Sequence, residues 1–155
     1  MTLYRRILMA TDFSPASESA FHEAARLARE TGAALTVLHV YHPPTLAAFP
    51  YPTPELQRQV DRGARDQAAT RLAPWIRRAS ERGIAATPLL ESGVEDIEIV
   101  QAAVREHADL IVLGTHGPHG PSRLLLGSVA SRVVADAPCP VLTIRAERAA
   151  ERIAS

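Results

Sequence analysis

A doubly wound α/β fold, a parallel five-stranded sheet with helices on both faces, is what this sequence predicts, and three observations lead to it. Strand-like and helix-like stretches alternate along the whole chain, the pattern of a sheet built by helical crossovers. The runs Ile7-Leu-Met-Ala10 and Leu110-Ile-Val-Leu113 are unbroken in apolar residues, as expected of strands covered on both faces. The second run passes directly into Gly114 and a loop with further glycines at 117 and 120, and that loop ends where Gly127-Ser128 opens a new helical period. Strand, glycine loop and helix start in that order make a good anion seat, because open backbone N–H groups and the positive end of a helix dipole meet there.

With 155 residues and 46% hydrophobic composition, the chain is expected to be one domain with a sizeable core. Residues 1–145 read as that domain and 146–155 as a polar, alanine-rich tail. Seventeen basic and seventeen acidic residues cancel, so no overall footprint for nucleic acid or an anionic membrane is expected. Every basic residue is arginine, which excludes a Schiff-base lysine and leaves any charge clamp to a guanidinium. Cys139 is the single cysteine and has no intramolecular partner, so a reducing cytoplasm fits best. The apolar stretch behind Arg5-Arg6 is too short for a secretion signal or a membrane span.

Taken in order, Arg6–Thr11 is the first strand, with Asp12 at its carboxyl end. Ser14-Pro15 supplies a helix N-cap and first turn, and Ala20, Phe21, Ala24, Ala25, Leu27 and Ala28 form a helical stripe that Gly32 closes. Asp12 has two readings from pattern alone, a turn residue bonding nearby backbone or a ligand contact. Ala34–Tyr41 is the second strand. His42–Pro54 holds five prolines with Phe49 and Tyr51; it cannot be helix, and is read either as a flap beside a crevice or as a passive connection. Thr53-Pro54 opens a long helix in which Pro74 predicts a kink or break after Thr70. Ala85–Glu91 is the third strand, at an edge because Pro88 cannot donate to a neighbour. A third helix follows Ser92-Gly93, with Ile97, Val100, Val104 and His107 on one face. The fourth helix spans Ser128–Asp136, with Val129, Val133 and Val134 turned inward, and Val141–Ile144 is the fifth strand.

The loop itself reads Gly114-x2-Gly117-x9-Gly127-Ser128. It is neither a Walker A loop, which needs a lysine, nor the dinucleotide fingerprint Gly-x-Gly-x-x-Gly. The first two glycines can wrap one side of a polyphosphate and Gly127-Ser128 the other. His116 and His119 are too few for a metal site and better suited to donate to phosphate oxygens. Ser122 and Ser128 have no base beside them in sequence, so no catalytic residue is assigned.

This spacing resembles the nucleotide-binding signature of the universal stress protein family. The resemblance covers about residues 4 to 145 through Ile7-Leu-Met-Ala-Thr-Asp-Phe-Ser-Pro15, Leu38-His-Val40, Ala108-Asp-Leu-Ile-Val-Leu-Gly-Thr-His-Gly117 and Ala137-Pro-Cys-Pro-Val-Leu-Thr-Ile144. It implies a Rossmann-like sheet of order 3-2-1-4-5, whose switch point falls between the strands carrying Asp12 and Gly114. It also implies an adenine slot at the Val40 backbone with Ala10 beside it, and Thr11 and Asp12 near the nucleotide. The phosphates would meet Gly114, Thr115, His116, Gly117, His119, Gly120, Arg123, Gly127, Ser128, Val129 and Ala130. His119-Gly120-Pro121 departs from the family's run of small polar residues.

The resulting expectation is a cytoplasmic ATP-binding stress protein, a regulatory or protective module with little turnover. AMP or ADP are alternative ligands, and magnesium accompanies ATP. A homodimer through the fifth strand is implied, with no nucleic-acid or membrane partner. Two other readings stay open: a slow ATPase or phosphoryl-transfer enzyme using Asp12, His116 or Arg123, and a nucleotide-independent dimeric interaction protein.

Overall fold

A computed structural model describes residues 3–115 and 126–146. The elements are β1 (Arg6–Ala10), α1 (Pro15–Thr31), β2 (Ala34–Tyr41), α2 (Pro54–Glu81), β3 (Ala86–Ser92), α3 (Glu95–Arg105), β4 (Leu110–Gly114), α4 (Ser128–Asp136) and β5 (Val141–Ile144). The strands form one parallel sheet in the order β3-β2-β1-β4-β5. β3 is therefore an edge strand, and Pro88 sits in it opposite Val37 without disrupting an inner ladder.

Period-two alternation along the inner strands divides the core between two faces. Ile7, Met9, Leu35, Val37, Leu110 and Val112 pack with Phe21 and the alanines of α1 and with Leu72, Trp75 and Ala79 of α2. Leu8, Ala10, Leu38, Val40, Ile111 and Leu113 pack on the other side with Ile99, Ala102 and Ala103 of α3 and Ala130 and Val133 of α4. Both faces are covered, which is why these strands read as unbroken apolar runs rather than alternating ones.

The local signals at helix ends act as expected. Ser14 Oγ accepts from the Ser17 N–H at 3.2 Å with Pro15 next in line, and Gly32 closes α1 with a φ of 73°. Thr53 caps α2 in the same way, accepting from the Leu56 N–H.

The structure decides whether α2 breaks at Pro74 and which residues α3 and α4 turn inward. α2 continues through Pro74 as one helix of 28 residues. Thr70 and Pro74 both lie on the exposed side, so the carbonyl that loses its partner can be hydrated, while buried Leu72, Trp75 and Ala79 pack the helix on the core on both sides of Pro74, and the chain does not break there. α3 turns Ile99, Ala102 and Ala103 inward and leaves Ile97 and Val104 exposed. α4 buries Val133 but exposes Val134. Burial follows the sheet-facing side of each helix, Ile99, Ala102 and Ala103 in α3 and Ala130 and Val133 in α4, whatever the size of the side chain.

Candidate functional site

The sheet is tied together at one end of β1 and β4 and opens at the other. At the amino end, Asp109 accepts from the Arg5 N–H at 2.8 Å through Oδ2 and from the Arg6 N–H at 3.1 Å through Oδ1, locking the start of β4 to the start of β1. The two strands then pair as far as Ala10 opposite Leu113. Beyond that point they diverge. The Thr11 N–H donates to the Leu38 carbonyl of β2 at 2.8 Å, and the Thr115 N–H donates to the Ile144 carbonyl of β5 at 2.8 Å. A crevice thus opens between Thr11 and Thr115, at the carboxyl ends of neighbouring parallel strands whose crossovers run in opposite directions.

Asp12 stands at that opening, and of the two roles left open above the fold shows the turn role. Its Oδ1 accepts from Ser17 Oγ at 2.6 Å and from the Ser14 N–H at 2.9 Å, closing the turn into α1. Oδ2 has no hydrogen-bond donor among the described residues, and the side chain is exposed. Burial pushes the carboxyl's pKa up, but the bonds from Ser14 and Ser17 outweigh it, and the group lies below the usual carboxylate range. Asp12 is therefore ionised at neutral pH, with Oδ1 fixed in the turn.

Gly114 brings the other wall close. A Cβ at this position would lie 2.5 Å from the Ala16 carbonyl carbon and 2.7 Å from the Ser17 nitrogen, so the end of β4 touches the backbone of α1's first turn and only glycine fits. Across the crevice, α4 begins at Ser128 behind Gly127, with no side-chain cap bond at its N-cap. The amides of Ser128, Val129 and Ala130 have no acceptor among the described residues, unlike the side-chain-capped starts of α1 and α2. Ala10, Val40 and Ala130 meet in one buried cluster with Val129 packed against it, so the expected adenine-slot residues and the helix start share one face. Of the predicted site residues, Ala10, Thr11, Asp12, Val40, Gly114, Thr115, Gly127, Ser128, Val129 and Ala130 are thus placed around one opening. His116, Gly117, His119, Gly120 and Arg123 lie outside the described residues.

Residues that the sequence reading did not single out surround Asp12. His39 Nδ1 donates to the Thr11 carbonyl at 2.7 Å, and its ring lies 4.4 Å from that of Phe13. Since a carbonyl only accepts, Nδ1 carries the proton. The available signal was position: His39 continues the Leu35–Val37 face as its one polar member. His42 Nε2 lies 2.8 Å from Glu95 Oε1, joining the proline-rich connection to the first turn of α3. The backbone amide of Glu95 itself and His42 together hold this carboxyl below its usual range.

The two titrating groups beside Thr11 act in separate pH windows. Burial lowers the His39 pKa, with smaller and opposing effects from the Thr11 carbonyl and Arg71. Below about pH 6.5 the unfolded imidazole takes up a proton that the folded one resists, so stability falls as pH drops from there. The Asp12 contribution persists until the pH falls below the ordinary carboxylate range of about 4 and is lost through its lower folded value. Urea unfolding between pH 7.5 and 5.5 is expected to show a decline that His39→Gln shallows and Asp12→Asn does not.

A parallel α/β sheet whose strands diverge at the switch point, beside a helix start with no side-chain cap bond and an Asp12 Oδ2 with no donor among the described residues, has the architecture of domains whose ligand crevice lies across the strand ends. Comparison with known proteins gives the family. The Universal stress protein family model matches residues 3–145, and the chain belongs to that family. It is 36% identical over 144 residues to a universal stress protein of Thermus aquaticus, covering 92% of this chain and all of the relative. Among solved structures, the universal stress protein UspA from Lactobacillus plantarum superposes with a TM-score of 0.72 at 30% identity, covering 92% of this chain and 98% of that one. The universal stress protein from Archaeoglobus fulgidus in complex with dAMP does so with a TM-score of 0.62 at 25% identity, covering 93% and 99%. Among the described residues, no helix is long and apolar enough to cross a membrane.

Proposed function

We propose that this protein binds an adenine nucleotide, ATP with AMP or ADP as alternatives, in the crevice between Thr11 and Thr115, and acts in the cytoplasm as a regulatory or protective module with little turnover. The observation that carries the reading is the divergence of β1 and β4 onto three helix-start amides and one carboxylate oxygen that have no partner among the described residues. Uncapped amides at a helix start suit phosphate, and an ionised Asp12 oxygen suits a ribose hydroxyl. Small side chains at Ala10, Val40 and Ala130 suit a flat base. The dAMP complex of the Archaeoglobus relative supports adenine as the base.

Magnesium would come with ATP, since it neutralises the polyphosphate. The protein's own part is to hold the phosphates against α4 and to keep Asp12 charged and fixed. No general base is assigned. The edge strand β5 offers its outer side for pairing, and we read the working form as a homodimer through Val141–Ile144; sedimentation of the full chain distinguishes one copy from two.

Calorimetric titration of AMP, and of ATP with magnesium, into nucleotide-free protein tests the reading. One site per chain is expected. Asp12→Ala is expected to weaken it roughly tenfold, the loss of one charge-assisted hydrogen bond. Absence of saturable heat at several temperatures would remove the nucleotide reading. Phosphate release that depends on Asp12 would instead favour slow hydrolysis.

A further inference from the structure

We propose that Phe13 is a positioning residue for Asp12: its ring, clamped between the His39 imidazole and the Arg71 guanidinium, holds a left-handed turn that sets where the free carboxylate oxygen stands in the crevice. The inference rests on the nucleotide reading for its functional meaning, while the clamp itself is a matter of geometry.

Phe13 has a φ of 63°, in the region that L side chains other than Asn and Asp seldom enter. A bulky residue persists there only where its surroundings over-determine it. Here they do. The Phe13 N–H donates to Thr11 Oγ1 at 2.9 Å. Its ring centroid lies 4.4 Å from that of His39 and 5.7 Å, edge-on, from that of Trp75. The Arg71 guanidinium carbon sits 4.1 Å from the ring centroid, and Arg71 has no carboxylate partner among the described residues. The circuit closes on itself, because His39 donates back to the Thr11 carbonyl at 2.7 Å.

Asp12 is the residue between these two anchored neighbours. Its Oδ1 is committed to Ser17 and Ser14, so the placing of Oδ2 follows from the backbone at positions 12 and 13. The clamp comes from β2 and α2, on the side of the sheet opposite the Ala10–Val40–Ala130 cluster. Groups that never line the base slot thereby fix a carboxylate at its mouth. Trp75 is part of the same packing and ties the clamp into the core.

Phe13→Ala keeps the unfavourable backbone angle and loses the ring. Phe13→Gly removes the angle's cost as well. Phe13→Tyr keeps the ring. If the ring positions Asp12, both Ala and Gly weaken AMP binding about tenfold in the full chain, Gly is the more stable of the two, and Tyr restores affinity. The decisive readout is a double-mutant cycle. In an Asp12→Ala background, Phe13→Ala should change AMP affinity less than twofold. Equal losses in both backgrounds, or a fall in Tm with affinity unchanged, would overturn the proposal. A second measurement does not depend on nucleotide: NMR titration of the Asp12 carboxyl in the unliganded protein. Phe13→Ala is expected to move that titration upward toward the ordinary carboxylate value, and an unchanged titration overturns the positioning role. If the parent protein takes no AMP, the nucleotide reading fails, while this titration still decides whether Phe13 sets the carboxylate.

Discussion

Gly114→Ala is expected to lower the folding free energy by about 3 kcal/mol, the upper end of the cost of forcing one carbon into a packed site. The added Cβ meets the Ala16 carbonyl carbon at 2.5 Å, its oxygen at 2.7 Å and the Ser17 nitrogen at 2.7 Å. All three are backbone atoms in the first turn of α1, so no side chain can swing away, and either β4 or the helix must shift. Both flank the crevice, and nucleotide affinity is expected to fall together with stability. Gly63→Ala is the matching control. It lies in mid-α2, where an added methyl would meet nothing within 4 Å and the backbone has no positive φ, so the exchange is expected to stabilise by about 0.5–1 kcal/mol. Urea unfolding of the two variants should therefore move in opposite directions. Equal and small effects would mean that β4 and α1 are not in contact at Gly114.

Trp75→Ala is expected to cost about 3–5 kcal/mol, the range for truncating a large buried aromatic, or roughly 2–4 °C of Tm for each kcal/mol in a chain of this length. Trp75 is 7% exposed. Its ring centroid lies 5.1 Å from that of Phe21 and 5.7 Å from that of Phe13, both edge-on, and Arg78 lies over its face at 5.1 Å. Removing it opens a cavity between α1, α2 and the sheet and takes away one wall of the turn that carries Asp12. The loss should thus reach the crevice although Trp75 does not border it. Thermal unfolding alongside AMP titration checks both parts. A fall in Tm with undiminished affinity would show that the core and the turn are uncoupled.

Much of the fold was legible because its signals are local. Ser14-Pro15, Thr53-Pro54 and Gly32 mark helix ends by chemistry that does not depend on the rest of the chain. The apolar runs in β1 and β4 could be read as doubly covered strands for the same reason. At Pro74 the local cost does not break the helix, which packs Leu72, Trp75 and Ala79 on the core on both sides of it. Val134 was misread as inward because two adjacent valines, Val133 and Val134, give no local sign of which one faces the sheet.

The site divides in the same way. The helix start at Gly127-Ser128 could be named from spacing, whereas Asp12 as a ligand contact came from the family resemblance. That the turn occupies Oδ1 of Asp12 could not be read, since it depends on where Ser17 Oγ sits after the turn has folded. The left-handed angle at Phe13 has no sequence signal at all: it results from contacts with His39 and Arg71, which are 26 and 58 positions away in the chain.

The central claim is that an adenine nucleotide lies between the diverging ends of β1 and β4. Amide NMR shifts on adding AMP to the full chain test it most directly. The largest saturable changes are expected at Asp12, Val40, Thr115 and the uncapped amides of Ser128, Val129 and Ala130, with those amides moving as a hydrogen-bond acceptor arrives. Saturable shifts confined to another face of the protein, or none at these residues at millimolar AMP, would contradict it.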